Sequence, residues 1–243
     1  MNLIPVIDLM QGQVVRAVRG DRQAYRPMLS QLCEGSEPLV MARALCEHCD
    51  TQQLYLADLD ALLGGAAHVA VLRELLREMP ALELWLDAGF SDAAAADALL
   101  AEIGTDAARV VPVFGSESMA SREALARCFA GADGGNDRGE GVGSRVLSLD
   151  RRDGQRLDVA GCWDAPQFWP RRVIVMTLER VGSDAGPDLE TLADVRAKAP
   201  GAFIVGAGGI RHADDLARAA EAGAGAWLVA SALHDGRLPR VRG

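Results

Sequence analysis

Eight short apolar runs alternate with amphipathic stretches along this 243-residue chain. The runs are Leu3–Asp8, Gln53–Asp58, Leu82–Asp87, Arg109–Phe114, Arg145–Asp150, Arg172–Thr177, Ala202–Ala207 and Ala226–Ala230. Between them lie segments of helical period: Pro38–Cys49, His68–Met79, Ala93–Ile103, Ser121–Ala130, Asp188–Ala199 and Ala213–Ala222. Strands joined by helical crossovers pair in parallel, because a tight hairpin cannot reach a parallel neighbour. Eight such units close a (β/α)8 barrel, and the chain matches the usual barrel length of about 250 residues. The alternative, an open doubly wound sheet, commonly has five or six strands. We therefore expect one (β/α)8 barrel domain over residues 1–243. The Gly-rich stretch 131–144 has too little apolar content to pack and is expected to be a flexible surface insertion.

The two halves of the chain resemble each other. Asp8, Gly12 and Gln13 have the same spacing as Asp150, Gly154 and Gln155. Leu56 to Asp60 parallels Val175 to Glu179, Asp87-Ala88-Gly89 parallels Ala207-Gly208-Gly209, and Val113 to Ser116 parallels Val229 to Ser231. Four correspondences in one order predict a two-fold half-barrel repeat.

Composition narrows the function classes. Apolar residues make up 49% of the chain and aromatic residues only 5%. This suits strands covered on both faces by small-residue helices. A net charge of −9 argues against nucleic acid or an anionic membrane as a partner. No apolar run reaches the ~18 residues of a membrane span, and the N-terminus enters a strand-like run without a basic leader, so a cytoplasmic protein is expected. Five cysteines, an odd number, fit a reduced compartment.

Barrels of this type carry their chemistry at the C-terminal strand ends. Asp8, Asp58, Asp87, Asp150 and Thr177 fall there. Two carboxyls across one mouth can serve as general acid and base, and the repeat singles out Asp8 and Asp150 for that work. Asp58 and Asp87 are expected to cap loops or orient a ligand. Gly208 and Gly209 sit between a strand and a helix, where small residues let backbone N–H groups approach a phosphate. Ala230 and Ser231 follow the eighth strand and would add donors, since the phosphate site of such barrels often lies after strands seven and eight.

The covers of the mouth are expected in residues 16–35 and 151–170, the second holding Trp163 and Trp169, of which Trp169 is expected to pack its loop down. Cys46, His48 and Cys49 share a helix and lack a second ligand pair, so no metal is expected, nor any cofactor. His68 and His212 are expected at helix starts on the surface, and His234 in the last turn. Lys198, the sole lysine, falls at the end of a helix on the opposite face, where a lysine imine mechanism has no use for it.

The segment from Ile4 through Asp8, Gly12 and Arg16 to Asp21 resembles the start of the histidine-biosynthesis barrels, the ribotide isomerase and its cyclase relative. The likeness continues through Leu56 to Ala61, Leu149 to Gly154, Thr177 to Pro187, Gly208 to Ile210 and Ala230 to Gly236. It implies an Amadori-type aldose–ketose isomerisation of a phosphorylated sugar or ribotide. Asp8, Asp150 and Thr177 would be catalytic, and Arg16, Trp163, Gly182 and Ser183 would bind substrate. Gly208, Gly209, Ala230 and Ser231 would bind phosphate. It also implies a two-phosphate ligand, a Trp163 indole stacked on the substrate base, and a monomer or small homo-oligomer.

Two departures bear on this. The third-strand turn, a Gly-Gly-Gly-Ile-Arg pattern in the family, reads Asp87-Ala88-Gly89-Phe90-Ser91 here, and a carboxylate repels a phosphate dianion. The loop after Thr177 lacks the family's Asp and is one residue short, with Asp184 nearby. A substrate with one phosphate fits this asymmetry. The alternatives are a divergent relative acting as a lyase or synthase in methanopterin or methanofuran (one-carbon cofactor) biosynthesis, and a phosphate-ligand-binding protein without catalysis.

Overall fold

A computed structural model of the chain describes residues 1–18, 24–129 and 145–241. The Gly-rich stretch 131–144 lies outside the described residues. Eight parallel strands form the sheet: β1 (Asn2–Met10), β2 (Gln53–Asp58), β3 (Glu83–Asp87), β4 (Val110–Gly115), β5 (Val146–Arg152), β6 (Arg172–Thr177), β7 (Phe203–Ala207) and β8 (Ala226–Val229). Each lies within two residues of its expected bounds. They pair in sequence order, and β8 returns to β1 with Asn2 opposite Ala226 and Pro5 opposite Val229, so the barrel is closed.

Around it run α1 (Pro38–Cys49), α2 (Leu59–Leu62), α3 (Val69–Glu78), α4 (Ala93–Ile103), α5 (Arg122–Phe129), α6 (Leu189–Lys198), α7 (Ala213–Glu221) and α8 (Ser231–His234). No α-helix joins β5 to β6. That stretch makes two 3-10 turns, Cys162–Asp164 and Pro166–Phe168. Pro166 and Pro170 cannot donate inside a helix, and the Asp158 carboxylate takes the N–H groups of Cys162 and Trp163 at 2.7 and 2.9 Å. Among the described residues no helix is long and apolar enough to cross a membrane.

Alternation along each strand divides the core in two. Ile4, Tyr55, Trp85, Val113, Val146, Ile174, Val205 and Leu228 point into the barrel. Ile7, Leu56, Leu86, Leu149, Val175 and Trp227 point out and pack under the helices. At the N-terminal end of the barrel Arg172 is buried, 4.9 Å over the Trp85 ring and 3.3 Å from Glu83. This ionic floor leaves the other end as the open mouth.

The half-barrel repeat is visible in the backbone. β1 continues into a hairpin through Gln11 and Gly12, with φ of 52° and 76°. β5 does the same through Asp153 and Gly154, with φ of 50° and 76°. Two successive positive φ values give the turn whose twist suits a two-residue hairpin. An acid from the following loop holds each one. Asp60 accepts from the Gln11 N–H at 2.6 Å, and Glu179 accepts from the Gly154 N–H at 3.3 Å.

Gly206 of β7 lies opposite Trp227 of β8, and the indole covers it. A Cβ at Gly206 would sit 2.2 Å from a Trp227 ring carbon. Gly206→Ala should therefore destabilise the barrel by about 1–3 kcal/mol through overpacking. Urea unfolding should show the loss, and adding Trp227→Leu should recover part of it.

Candidate functional site

The mouth opens at the C-terminal strand ends, and strand alternation decides which side chains reach it. Asp8, Asp87 and Asp150 share the inward face with Val6, Trp85 and Ser148, and all three carboxyls line the cavity. Asp58 and Thr177 fall on the outward face. Asp58 caps α2 through the Ala61 N–H at 3.2 Å and holds His68 through its N–H at 2.7 Å and Nδ1 at 3.0 Å. Thr177, expected as catalytic, is buried beneath the mouth rather than in it, and its hydroxyl donates to Asp188 at 3.0 Å. The inward residue of that strand end is Met176.

Asp150 is fixed from three sides. Ser148 Oγ donates to it at 2.6 Å, the Glu117 N–H at 3.3 Å, and Ser116 Oγ lies 3.3 Å away. Gly115 makes this possible, since a Cβ there would stand 3.0 Å from the Asp150 carboxylate. Burial, and then the charge of Glu117, hold the Asp150 pKa well above the usual carboxylate range. Asp8 differs. Among the described residues no donor reaches its carboxyl, and burial pushes its pKa up to about 7. The two carboxyls therefore occupy different environments across one cavity, the arrangement that separates acid from base.

The turn after β7 is built by its surroundings. Gly208 and Gly209 have φ of 83° and 81°, where a side chain is strained. A Cβ at Gly209 would meet the Gly186 carbonyl oxygen at 2.2 Å. The Trp227 indole N–H donates to the Gly208 carbonyl oxygen at 3.1 Å from the outer layer. The peptide is planar and trans, so the Gly209 N–H points the opposite way, away from the Trp227 indole. Gly208, Gly209, Ala230, Ser231 and Ala232 line the mouth together. The equivalent turn after β3 is closed on itself: the Gly89 N–H donates to Asp87 Oδ1 at 3.2 Å.

Gly182 and Ser183 also line the mouth, with Gly182 pressed against the Ala17 carbonyl. Arg16 and Trp163 do not. Arg16 is bound to Asp235 at 2.5 Å, which ties the first hairpin to the end of α8. Trp163 is buried in its loop, with the Arg156 guanidinium 5.1 Å over the ring. Trp169 packs the same loop, its indole donating to the Cys162 carbonyl at 2.7 Å. His68 is a half-buried pin rather than a surface residue, its Nε2 accepting from the Gly12 N–H at 3.0 Å. His212 starts α7 exposed, and His234 is buried against Ser30 with its pKa drawn down to about 4. Cys46 and Cys49 are core thiols pushed up to about 11 and 12. Lys198 donates to the Trp163 carbonyl, away from the mouth. Asp184 pairs with Arg237 at 2.7 Å.

Tyr25, Tyr55, Glu117, Arg152 and Arg237 are polar residues of the mouth that were not singled out from the sequence. Counting back from the inward Asp87 and Asp150 by twos would have found Trp85 and Ser148. The same count on β2 separates Tyr55 from Asp58.

The sequence profile of a family described as "Histidine biosynthesis protein" matches residues 2–239. A Methanocaldococcus jannaschii protein described as uncharacterized is 26% identical over 245 residues, 98% of this chain and 95% of its own length. A Deinococcus radiodurans protein named as a phosphoribosyl imidazole-4-carboxamide isomerase is 30% identical over 254 residues, with 98% and 95% covered. A Mycobacterium ulcerans protein named phosphoribosyl isomerase A is 29% identical over 254 residues, with 97% and 94% covered.

The Asp8 environment has a cost that can be measured. Its folded pKa of about 7 exceeds the unfolded 3.8, so between these values the native state holds a proton the unfolded chain has lost. Stability then falls as pH rises through that window. At about 1.4 kcal/mol per unit, the ceiling is about 4 kcal/mol. Asp8→Asn should stabilise the protein by about 1–4 kcal/mol at pH 8 and by almost nothing near pH 4. Denaturant titrations at the two pH values check this.

Proposed function

The chain belongs to the histidine biosynthesis protein family, and we propose that it is an isomerase of a phosphorylated sugar or ribotide working by Amadori-type aldose–ketose chemistry. The observation that carries this reading is the pair Asp8 and Asp150, both lining one mouth in different hydrogen-bonding surroundings and both raised by burial. Asp150, the better buried and with Glu117 beside it, has its pKa raised by that burial and that charge, and it acts as the acid. Asp8, near pH 7, is ionised often enough to act as the base.

In this scheme Asp150 gives its proton to the ring oxygen as the C1–O bond breaks and the nitrogen lone pair forms C=N. Asp8 then removes the C2 proton. The C–H electron pair forms C1=C2, and the C=N pair returns to nitrogen. The resulting enol becomes the ketone by losing its hydroxyl proton and gaining one at C1. Carbon 1 is reduced and carbon 2 oxidised, so no external redox partner is required.

The phosphate is assigned to Gly208, Gly209, Ala230 and Ser231, which line the cavity together with Gly182 and Ser183. Thr177, Arg16 and Trp163 act as supports in this reading: Thr177 sets the Asp188 cap of α6, Arg16 holds the end of α8, and Trp163 anchors the loop after β5. A second reading, a divergent relative making a one-carbon cofactor precursor, is favoured by Asp87, which removes the donor at the other phosphate turn.

Asp8→Asn and Asp150→Asn should each lower turnover by about 10²–10⁴-fold while leaving ligand affinity within a few-fold. Full turnover in both variants would sink the assignment. In the wild type kcat/KM should rise with pH through about 7 as Asp8 ionises. Trp227→Phe, which frees the Gly208 carbonyl, should weaken binding of inorganic phosphate by roughly 3–10-fold, about one hydrogen bond's net contribution. Isothermal titration reads that loss.

A further inference from the structure

We propose that Arg152 forms a carboxylate-binding subsite on the β5 side of the mouth, and that the nitrogen substituent of the substrate carries the carboxylate. This rests on the isomerase reading above, with its phosphate at the β7 turn.

Arg152 ends β5, two residues beyond Asp150 on the same inward face, and both line the cavity. Residues two apart on a strand are separated by about 6–7 Å, so Arg152 stands one step nearer solvent than the acid. Alternation sends the neighbouring Arg151 outward, where it reaches Asp188 at 3.4 Å and donates to the Thr191 hydroxyl. Arg152 forms no hydrogen bond or ion pair among the described residues, and its Nε is buried without a partner. The other guanidinium of the lining, Arg237, is held by Asp184 at 2.7 Å and by Asp235 at 2.6 Å. On the other side of β5, β6 and its loop contribute apolar Met176, Leu178 and Val181 to the lining. A guanidinium partly withdrawn from water, with no counter-charge and apolar walls beside it, draws an anion strongly. Asp8, Asp87, Glu117 and Asp150 share the lining and decide which anion. One guanidinium matches the single charge of a carboxylate, planar fork against planar group, but leaves part of a phosphate dianion facing those acids. The β3 turn cannot relieve such a dianion, because its Gly89 N–H is bound to Asp87. The path of the substrate agrees. With the phosphate at the β7 turn and C1 between Asp8 and Asp150, the nitrogen substituent extends toward the side that Arg152 and Glu117 line.

Reductive amination of ribose 5-phosphate with glycine, ethanolamine or O-phosphoethanolamine gives three ligands that differ at the end of the nitrogen substituent: carboxylate, hydroxyl or phosphate. In isothermal titration the wild type should bind the glycine adduct about 10-fold more tightly than the ethanolamine adduct, as charge-assisted hydrogen bonds allow. The phosphoethanolamine adduct should bind more weakly than the glycine adduct. Arg152→Met and Arg152→Gln, one apolar and one polar replacement, should each bring the glycine and ethanolamine adducts to similar affinity and leave inorganic phosphate binding unchanged. Arg151→Met removes the same charge from the outward face and should keep the preference. Thermal melts record that each variant is folded. Equal wild-type binding of the glycine and ethanolamine adducts, tighter binding of the phosphate adduct, or a preference that survives both Arg152 replacements would overturn the proposal while the phosphate assignment stands. An equal loss in Arg151→Met would overturn it too, since net charge alone would then explain the preference. If inorganic phosphate and all three adducts fail to bind, the phosphate assignment falls and this subsite falls with it.

Discussion

A closed barrel of parallel strands leaves each side chain two destinations, the interior or the helix layer, and the period of two decides between them. Everything in the mouth follows from that alternation. Asp8, Asp87 and Asp150 meet because each is an even number of residues from an inward apolar neighbour. Asp58 and Thr177 end equivalent strands but sit one residue out of phase, so they hold loops instead of facing the cavity. The closing contact of β8 with β1 matters as much, because it brings Ser231 round to the same opening as Asp8.

The same enclosure sets the electrostatics. Carboxyls that would ionise freely in water are moved toward neutrality by burial, Asp8 to about 7 and Asp150 in the same direction. Neighbours then make the two unlike. Ser148, Ser116 and the Glu117 amide immobilise Asp150, whereas no described donor reaches Asp8. A fixed carboxyl and an untethered one suit a site in which one group must hold its position and the other must follow a proton. Native stability bears the burden, as is common where function needs buried charge.

The fold was legible because its signals are local and repeated. Eight apolar runs, their spacing, and the matching Gly12 and Gly154 turns are properties of short segments. The repeat marks Asp8, Asp150 and the Gly208–Gly209 turn twice, and all of them line the mouth. Glu117 and Arg237 were missed because nothing in their own neighbourhoods marks them, whereas Tyr55 and Arg152 keep the inward phase of their strands and were overlooked. Thr177, expected as catalytic, sits one residue out of phase with the cavity. It was read by its position at a strand end, although its counterpart in the other half, Asp58, was read as a loop cap. Arg16 sits in the first hairpin and Trp163 in the loop after β5, and their partners, Asp235 and Arg156, are set by tertiary contact that no spacing encodes.

Trp227 gives the outer layer a say in what the mouth can hold. Its ring rests on Gly206, and its indole N–H sets the direction of the Gly208 peptide. A shift in the packing of the helices around it is thus transmitted through one hydrogen bond to a peptide of the cavity lining. Affinity can then drift, in evolution or in the laboratory, through substitutions that never touch a ligand. The indole that transmits such a shift is also a chromophore, so the coupling carries its own optical reporter.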